Sequence, residues 1–257
     1  MRNTLTIAGR ELQAYFVQPV AYVVMTVFLL LGGWFFFALL RRFELVLEMY
    51  AALRSTSGME SLNLNQAVIE PLLHNLAVVL VILVPAITMR TFAEEKRTGT
   101  YELLLTSPIR IGELVAGKFL AAALFVLLMV LLAGIFPLIL VIFGNPEVPV
   151  MVSGYLGLAF VALCFVSVGL FTSSLTSNQI IAAISCFGAL LLLYVISWPA
   201  EAGEVEFAGL LRYLSLPEHF SQMARGVIST QDIVYFLSLI AIALFLTQRS
   251  AESVRWR

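Results

Sequence analysis

The sequence predicts an all-α integral membrane protein of six transmembrane helices, and three observations carry that prediction. Of 257 residues, 61% are hydrophobic and 12% charged, against roughly a quarter charged in soluble domains. Charge is absent from the long runs 12–40, 71–89, 119–146, 148–200 and 233–248. Lys and Arg also fall unequally on the two sides that those runs define. Such a chain cannot clothe a water-facing surface. Its net charge of −1 offers no basic field to a nucleic acid.

The elements follow in order. Leu5, Ala8, Leu12 and Phe16 recur at helical spacing ahead of Pro19, with Arg2, Thr6, Arg10 and Gln13 elsewhere. This predicts a helix over 1–19 lying in the membrane interface. Residues 1–19 lack the apolar core of a signal peptide. A crossing takes about 20 apolar residues, so the first three runs each supply one span: 20–40, 71–90 and 116–142. The run 148–200 is too long for one crossing. Its polar middle, TSSLTSNQ at 172–179, predicts a turn between spans at 152–172 and 179–198. The last span is 231–248. Pro85 and Pro137 fall inside spans 2 and 3 and predict kinks.

Counting Lys and Arg with both ends inside gives ten cytoplasmic (Arg2, Arg10, Arg90, Lys96, Arg97, Arg110, Lys118, Arg249, Arg255, Arg257) and five outside (Arg41, Arg42, Arg54, Arg212, Arg225). That obeys the positive-inside rule. Residues 41–70 and 199–230 then lie outside, as short helices dipping into the outer leaflet without crossing. A seventh crossing over 205–228 would bury Glu206, Arg212, Glu218, His219 and Arg225, and Arg alone costs about 2.5–3.5 kcal/mol at a membrane centre.

The connector between spans 2 and 3, TFAEEKRTGTYELLLTSPIRIGELVAGKF at 91–119, concentrates charge between two uncharged runs. Span 2 is expected to continue as a helix into water through Glu94, Glu95, Lys96 and Arg97. Gly99 suits the left-handed residue that ends a helix. Thr100 can cap a stub over 100–106 with Glu102 in its first turn. Ser107 and Pro108 are start signals for the helix that becomes span 3. Tyr101, Leu103, Leu104 and Leu105 make an apolar stub on a charged base, the pattern of a docking element. An ordinary solvated loop would carry the same charges.

The string P..TMR.FAEEKRTGT.ELLLTSPI, from Pro85 to Ile109, resembles the cytoplasmic loop of type 2 ABC exporter permeases, closest to the gliding-motility-associated and nitrous-oxide-reductase-maturation group. ELQAYFVQPVAYV at 11–23, LSLPEHFSQMARGVI at 214–228 and Asp232 are similar to that family too. The resemblance implies a single permease domain over 1–257, with six spans, an N-terminal interfacial helix, a cytoplasmic coupling helix and outer re-entrant helices between spans 5 and 6. It implies pairing with a second copy or a paralogue above two ABC ATPase subunits, in a bacterial-type cytoplasmic (inner) membrane with both termini cytoplasmic. The 94–106 segment would then be the coupling helix, through Glu94, Glu95, Lys96, Arg97, Thr98, Gly99, Thr100, Glu102, Leu103 and Leu104. The 1–19 helix would touch the same ATPase through Arg10, Glu11, Tyr15 and Phe16.

Other chemistry is thinly represented. The runs 119–146 and 148–200 hold no Asp, Glu, Lys, Arg or His, so the usual proton relays are missing. GELVAGKF at 112–119 nearly matches a phosphate-binding loop, but Phe119 replaces the hydroxyl that holds Mg²⁺ and no strand precedes it. ATP and Mg²⁺ therefore belong to a partner subunit, with no cofactor in this chain, and Lys118 is expected to mark the inner membrane surface. Cys164 and Cys186 sit mid-span as apolar packing. His74 and His219 lack ligand spacing, so no metal is expected. No nucleophile and base share a span, and no catalytic residue is expected. The alternative to a permease is a non-transporting scaffold that tethers a soluble complex through the same connector.

Overall fold

Proline sets the first boundary. The computed structural model describes residues 2–53, 63–101, 110–198 and 208–253, and every regular element among them is helical. Helix α1, Arg2–Val17, stops short of Pro19. Gln18 is extended, with ψ 134°, and Pro19 opens α2, Pro19–Ala52, as the steric limits around proline require. α2 then runs unbroken through Arg41 and Arg42. Residues 41–52 thus extend span 1 directly and are not a separate helix dipping into a leaflet. No Gly or Pro lies between Phe35 and Ala52 to stop the helix.

Helix α3, Glu70–Thr88, is entered through a π-helical turn, Asn65–Ile69. Pro85 is accommodated inside it. The backbone turns at Met89–Phe92 before the short α4, Ala93–Thr98. The expected straight continuation of span 2 is therefore broken. Helical backbone resumes at Thr100 and Tyr101, while Glu102, Leu103, Leu104, Leu105, Ser107 and Pro108 lie outside the described residues. Arg110 is extended, with ψ 138°, and caps α5, Ile111–Ala133. The helix of span 3 opens there.

Ahead of Pro137 the helix is interrupted at Gly134. Proline lacks the N–H that would bond the carbonyl four residues back, that of Ala133. The Tyr155 hydroxyl donates to that carbonyl instead, at 3.0 Å. α5 ends at Ala133 and α6, Ile135–Phe143, follows.

Helix α7, Val148–Leu175, runs to Leu175, so the polar stretch 172–179 is mostly helix and the turn shrinks to 176–178. Asn178 caps α8, Gln179–Val195, with its Oδ1 accepting from Ile180 N at 2.9 Å. Then come α9, Ala208–Leu214, α10, Leu216–Ala224, and α11, Thr230–Ser253. With 7 and 9 residues, α9 and α10 are far below the roughly 20 of a crossing.

α7 is the hub, packing against α3, α5, α8, α10 and α11. Its apolar window is 72% buried, against 22% for α2, which places α7 inside the bundle and α2 at its rim. Five helical stretches, opening at Pro19, Asn65, Ile111, Val148 and Thr230, are long and apolar enough to cross a membrane. α8 is a shorter apolar helix of 17 residues.

Candidate functional site at the connector

Small residues let α1 reach α5. A Cβ on Gly117 would meet Ile7 Cγ2 at 2.7 Å and Thr4 O at 3.1 Å, so only glycine admits α1 this closely. One residue on, Lys118 is 1% exposed. Its Nζ contacts Glu11 Oε1 of α1 at 2.9 Å and Glu95 Oε1 of α4 at 2.7 Å. It also donates to Thr91 O at 2.9 Å and lies 5.3 Å from the Phe92 ring centroid. One ammonium thus spends its three protons on three partners, tying span 3, the N-terminal helix and the connector together. Lys118 is buried among these partners and does not stand free as a surface charge.

Desolvation is the larger influence on Glu95 and raises its carboxyl above the ordinary value, with the Lys118 charge offsetting only part of that rise. Buried ion pairs of this kind add little net stability, while removal of one partner costs several kcal/mol. The triad fixes geometry more than it stabilises.

The connector is gripped from α7 as well. Ser173 Oγ accepts from Phe92 N at 3.1 Å and Ala93 N at 3.2 Å, and donates to Met89 O at 3.1 Å. It therefore satisfies the orphan donors that open α4. Lys96 Nζ donates to Ser174 O and lies over the Tyr101 ring at 5.5 Å, and burial lowers its pKa. Tyr101 is 2% exposed and donates to Ala251 O of α11 at 3.2 Å. The expectation that Tyr101 stands free for docking is corrected: it is spent inside the chain.

The outward side of α4 is the free one. Arg97, Thr98, Gly99 and Thr100 are exposed and Glu94 half-buried. Thr98 Oγ1 accepts or donates across Gly99 to Thr100 Oγ1 at 3.0 Å. Gly99 has φ +74°, the left-handed region expected of the residue that ends a helix. In α1, Arg10 is exposed, and Glu11, Tyr15 and Phe16 are half-buried. Tyr15 stacks on Phe125 at 5.4 Å, and Phe16 meets the same ring edge-on at 5.7 Å. Burial pushes the Tyr15 phenol up to about 12, which keeps it neutral beside Thr91 Oγ1 at 3.5 Å.

Glu11 and Glu95, which the sequence placed in two separate segments, are brought together by Lys118. Lys118, Ser173 and Thr91 were missed as parts of the site. The one local signal was the small pair Ala116–Gly117 directly before a lone lysine at the edge of an uncharged run.

A second polar cluster is buried at the opposite end of α7. His219 Nδ1 is 2.6 Å from Asp232 Oδ1, and its Nε2 is 2.9 Å from Tyr213 O. A carbonyl only accepts, so Nε2 carries a proton. The His219 ring stacks on Tyr235 at 4.0 Å, and Tyr235 donates to Leu214 O at 2.7 Å. Asp232, 2% exposed, opens α11, where the helix dipole favours a carboxylate. Cys164 and Cys186 are buried free thiols. Among the described residues no three His, Cys, Asp or Glu side chains form a metal cluster.

Compared with known proteins, residues 5–253 match the model of a family described as ABC-2 family transporter protein. No curated protein matches the chain.

Proposed function

The chain belongs to the ABC-2 transporter family as a multi-pass membrane permease of an ABC transporter, and from that premise we propose that the connector at 94–106 receives the stroke of separate ATPase subunits. The observation that supports this most is Lys118 bonded to both Glu11 and Glu95. Through one side chain, a push on α4 reaches α1 and span 3 together. The exposed Arg97, Thr98 and Thr100, with half-buried Glu94 beside them, are what remains for a partner; Glu102, Leu103 and Leu104, proposed to take part with them, lie outside the described residues.

In this reading the single permease domain crosses six times. α8 is the fifth crossing, since 17 residues at 1.5 Å rise give about 26 Å, close to a ~30 Å hydrocarbon core. α9 and α10 are outer re-entrant helices. Both termini and the connector are cytoplasmic, in a bacterial-type inner membrane. The permease works in a dimer, with itself or a paralogue, over two ATPase subunits that hold ATP and Mg²⁺. ATP-driven closure of those subunits draws the connectors together and tilts spans 2 and 3. Among type 2 exporters the gliding-motility and nitrous-oxide-reductase-maturation group fits best, on the FAEEKRTGT string at 92–100.

The test is co-purification from detergent-solubilised membranes, followed by ATPase assay of the complex. Glu94→Ala with Glu95→Ala should abolish permease-stimulated hydrolysis and leave membrane insertion intact. Undiminished stimulation refutes the coupling role. Capture of a soluble partner without any nucleotide-dependent movement instead supports the scaffold alternative.

A further inference from the structure

Between α1, the start of α2 and the end of α3 lies a cavity of about 180 Å³. A single water needs only about 10–15 Å³ measured in that way, so the space suits a larger occupant. Its lining is mixed. Val20, Ala21, Val24 and Ile87 are apolar, Glu11 and Lys118 are charged but spent on each other, and Arg90 and Glu94 line it as well.

Neither Arg90 nor Glu94 has an ionic partner among the described residues. Glu94 N bonds Arg90 O at 3.3 Å, and both residues line the cavity at the four-residue spacing where opposite charges ordinarily pair on a helix. Here they form no ion pair. The Arg90 guanidinium has one neutral partner, Gln18 Oε1 at 3.0 Å, and its buried Nε has none. The Glu94 carboxylate has no partner among the described residues. Glu95 also lines the cavity; its Oε1 is held by Lys118, while its buried Oε2 has no partner among the described residues. A separated cation and anion beside an apolar wall complement a zwitterion that carries a short apolar anchor.

We infer that this cavity holds a bilayer phospholipid with a primary-amine headgroup, its phosphate on Arg90 and its ammonium on Glu94 and Glu95, with the first acyl carbons along Val20 and Val24. A multi-pass protein meets such lipids directly, and a guanidinium and a carboxylate form the strong, charge-assisted bonds for phosphate and ammonium respectively. A quaternary ammonium has no proton to give Glu94, and a glycerol headgroup has no cation. The site therefore discriminates by headgroup. This inference goes beyond the coupling role and does not depend on which side of the membrane the connector faces.

The experiment is native mass spectrometry of the full chain released from nanodiscs of equal parts phosphatidylethanolamine, phosphatidylcholine and phosphatidylglycerol. The expected result is one retained phosphatidylethanolamine per permease, preferred over both others. Glu94→Gln should lower the apparent affinity for phosphatidylethanolamine about tenfold, the scale of one charge-assisted hydrogen bond, and leave phosphatidylglycerol unchanged. Arg90→Gln should weaken all three. Equal retention of the three lipids by the unsubstituted protein overturns the inference, as does an unaltered preference in Glu94→Gln. Displacement by soluble phosphoethanolamine at equal concentration overturns it too, because the apolar wall then contributes nothing. None of these readouts involves ATP hydrolysis, so their failure is separable from failure of the coupling role.

Discussion

Lys118 Nζ stands 2.7 Å from Glu95 Oε1 with its side chain 1% exposed, linking a span to the connector that follows its neighbour. The link is electrostatic and buried, which makes its response to substitution asymmetric. Lys118→Ala leaves Glu11 and Glu95 facing each other without a cation and should destabilise the protein by about 3–5 kcal/mol. Glu11→Gln, Glu95→Gln and Lys118→Met together should recover most of that, because no buried charge is left unpaired. Thermal unfolding in detergent measures both. If the triple variant is as unstable as Lys118→Ala, the loss is one of packing and not of charge.

Gly117→Ala tests the approach of α1. Its new Cβ meets the Ile7 branch point at 2.8 Å and Thr4 O at 3.1 Å, neither of which is a free side-chain end. The expected cost is about 1–3 kcal/mol. A disulfide crosslink engineered between α1 and α5 should form more slowly in that variant.

Ser173→Ala removes the acceptor for Phe92 N and Ala93 N. Buried donors left without partners cost about 1–3 kcal/mol. Amide hydrogen exchange should rise at residues 92–98 and stay unchanged in α8. Ser173→Thr keeps the hydroxyl and should retain protection.

The His219–Asp232 contact at 2.6 Å holds α10 against the start of α11. His219→Ala and Asp232→Asn should each destabilise by about 2–4 kcal/mol, and the double variant should cost much less than their sum, since residues in direct contact are not additive. A thermal double-mutant cycle gives the coupling. Additive losses would dissolve the pair as a unit.

Glu95 supplies a pH dependence. Its carboxyl is raised above 4.5, chiefly by burial, so the folded state holds the proton more tightly than the unfolded chain does. Its favourable contribution is then full below pH 4.5 and is lost as pH rises through the raised value. The melting-temperature difference between Glu95→Gln, neutral throughout, and the unsubstituted protein should therefore move in the variant's favour as pH rises from 4.5 to about 7. A pH-independent difference would contradict it.

Composition, uncharged runs and local residue spacing alone determined the membrane class, the helix ahead of Pro19, the five long apolar helices and the left-handed Gly99, because each depends on local sterics or on the transfer of contiguous apolar residues. Tertiary structure decided the rest. Ser173 and Ser174 read as turn residues by composition, yet they sit in α7 because their hydroxyl and carbonyl groups serve the connector from 80 residues away in sequence. Lys118 reads as a surface charge at the end of an oily run, and only the packing of α1 over Gly117 shows that two distant carboxylates meet it. Pairing between far-separated side chains leaves no period in the chain, since an ammonium spends its protons on whatever acceptors the fold brings near.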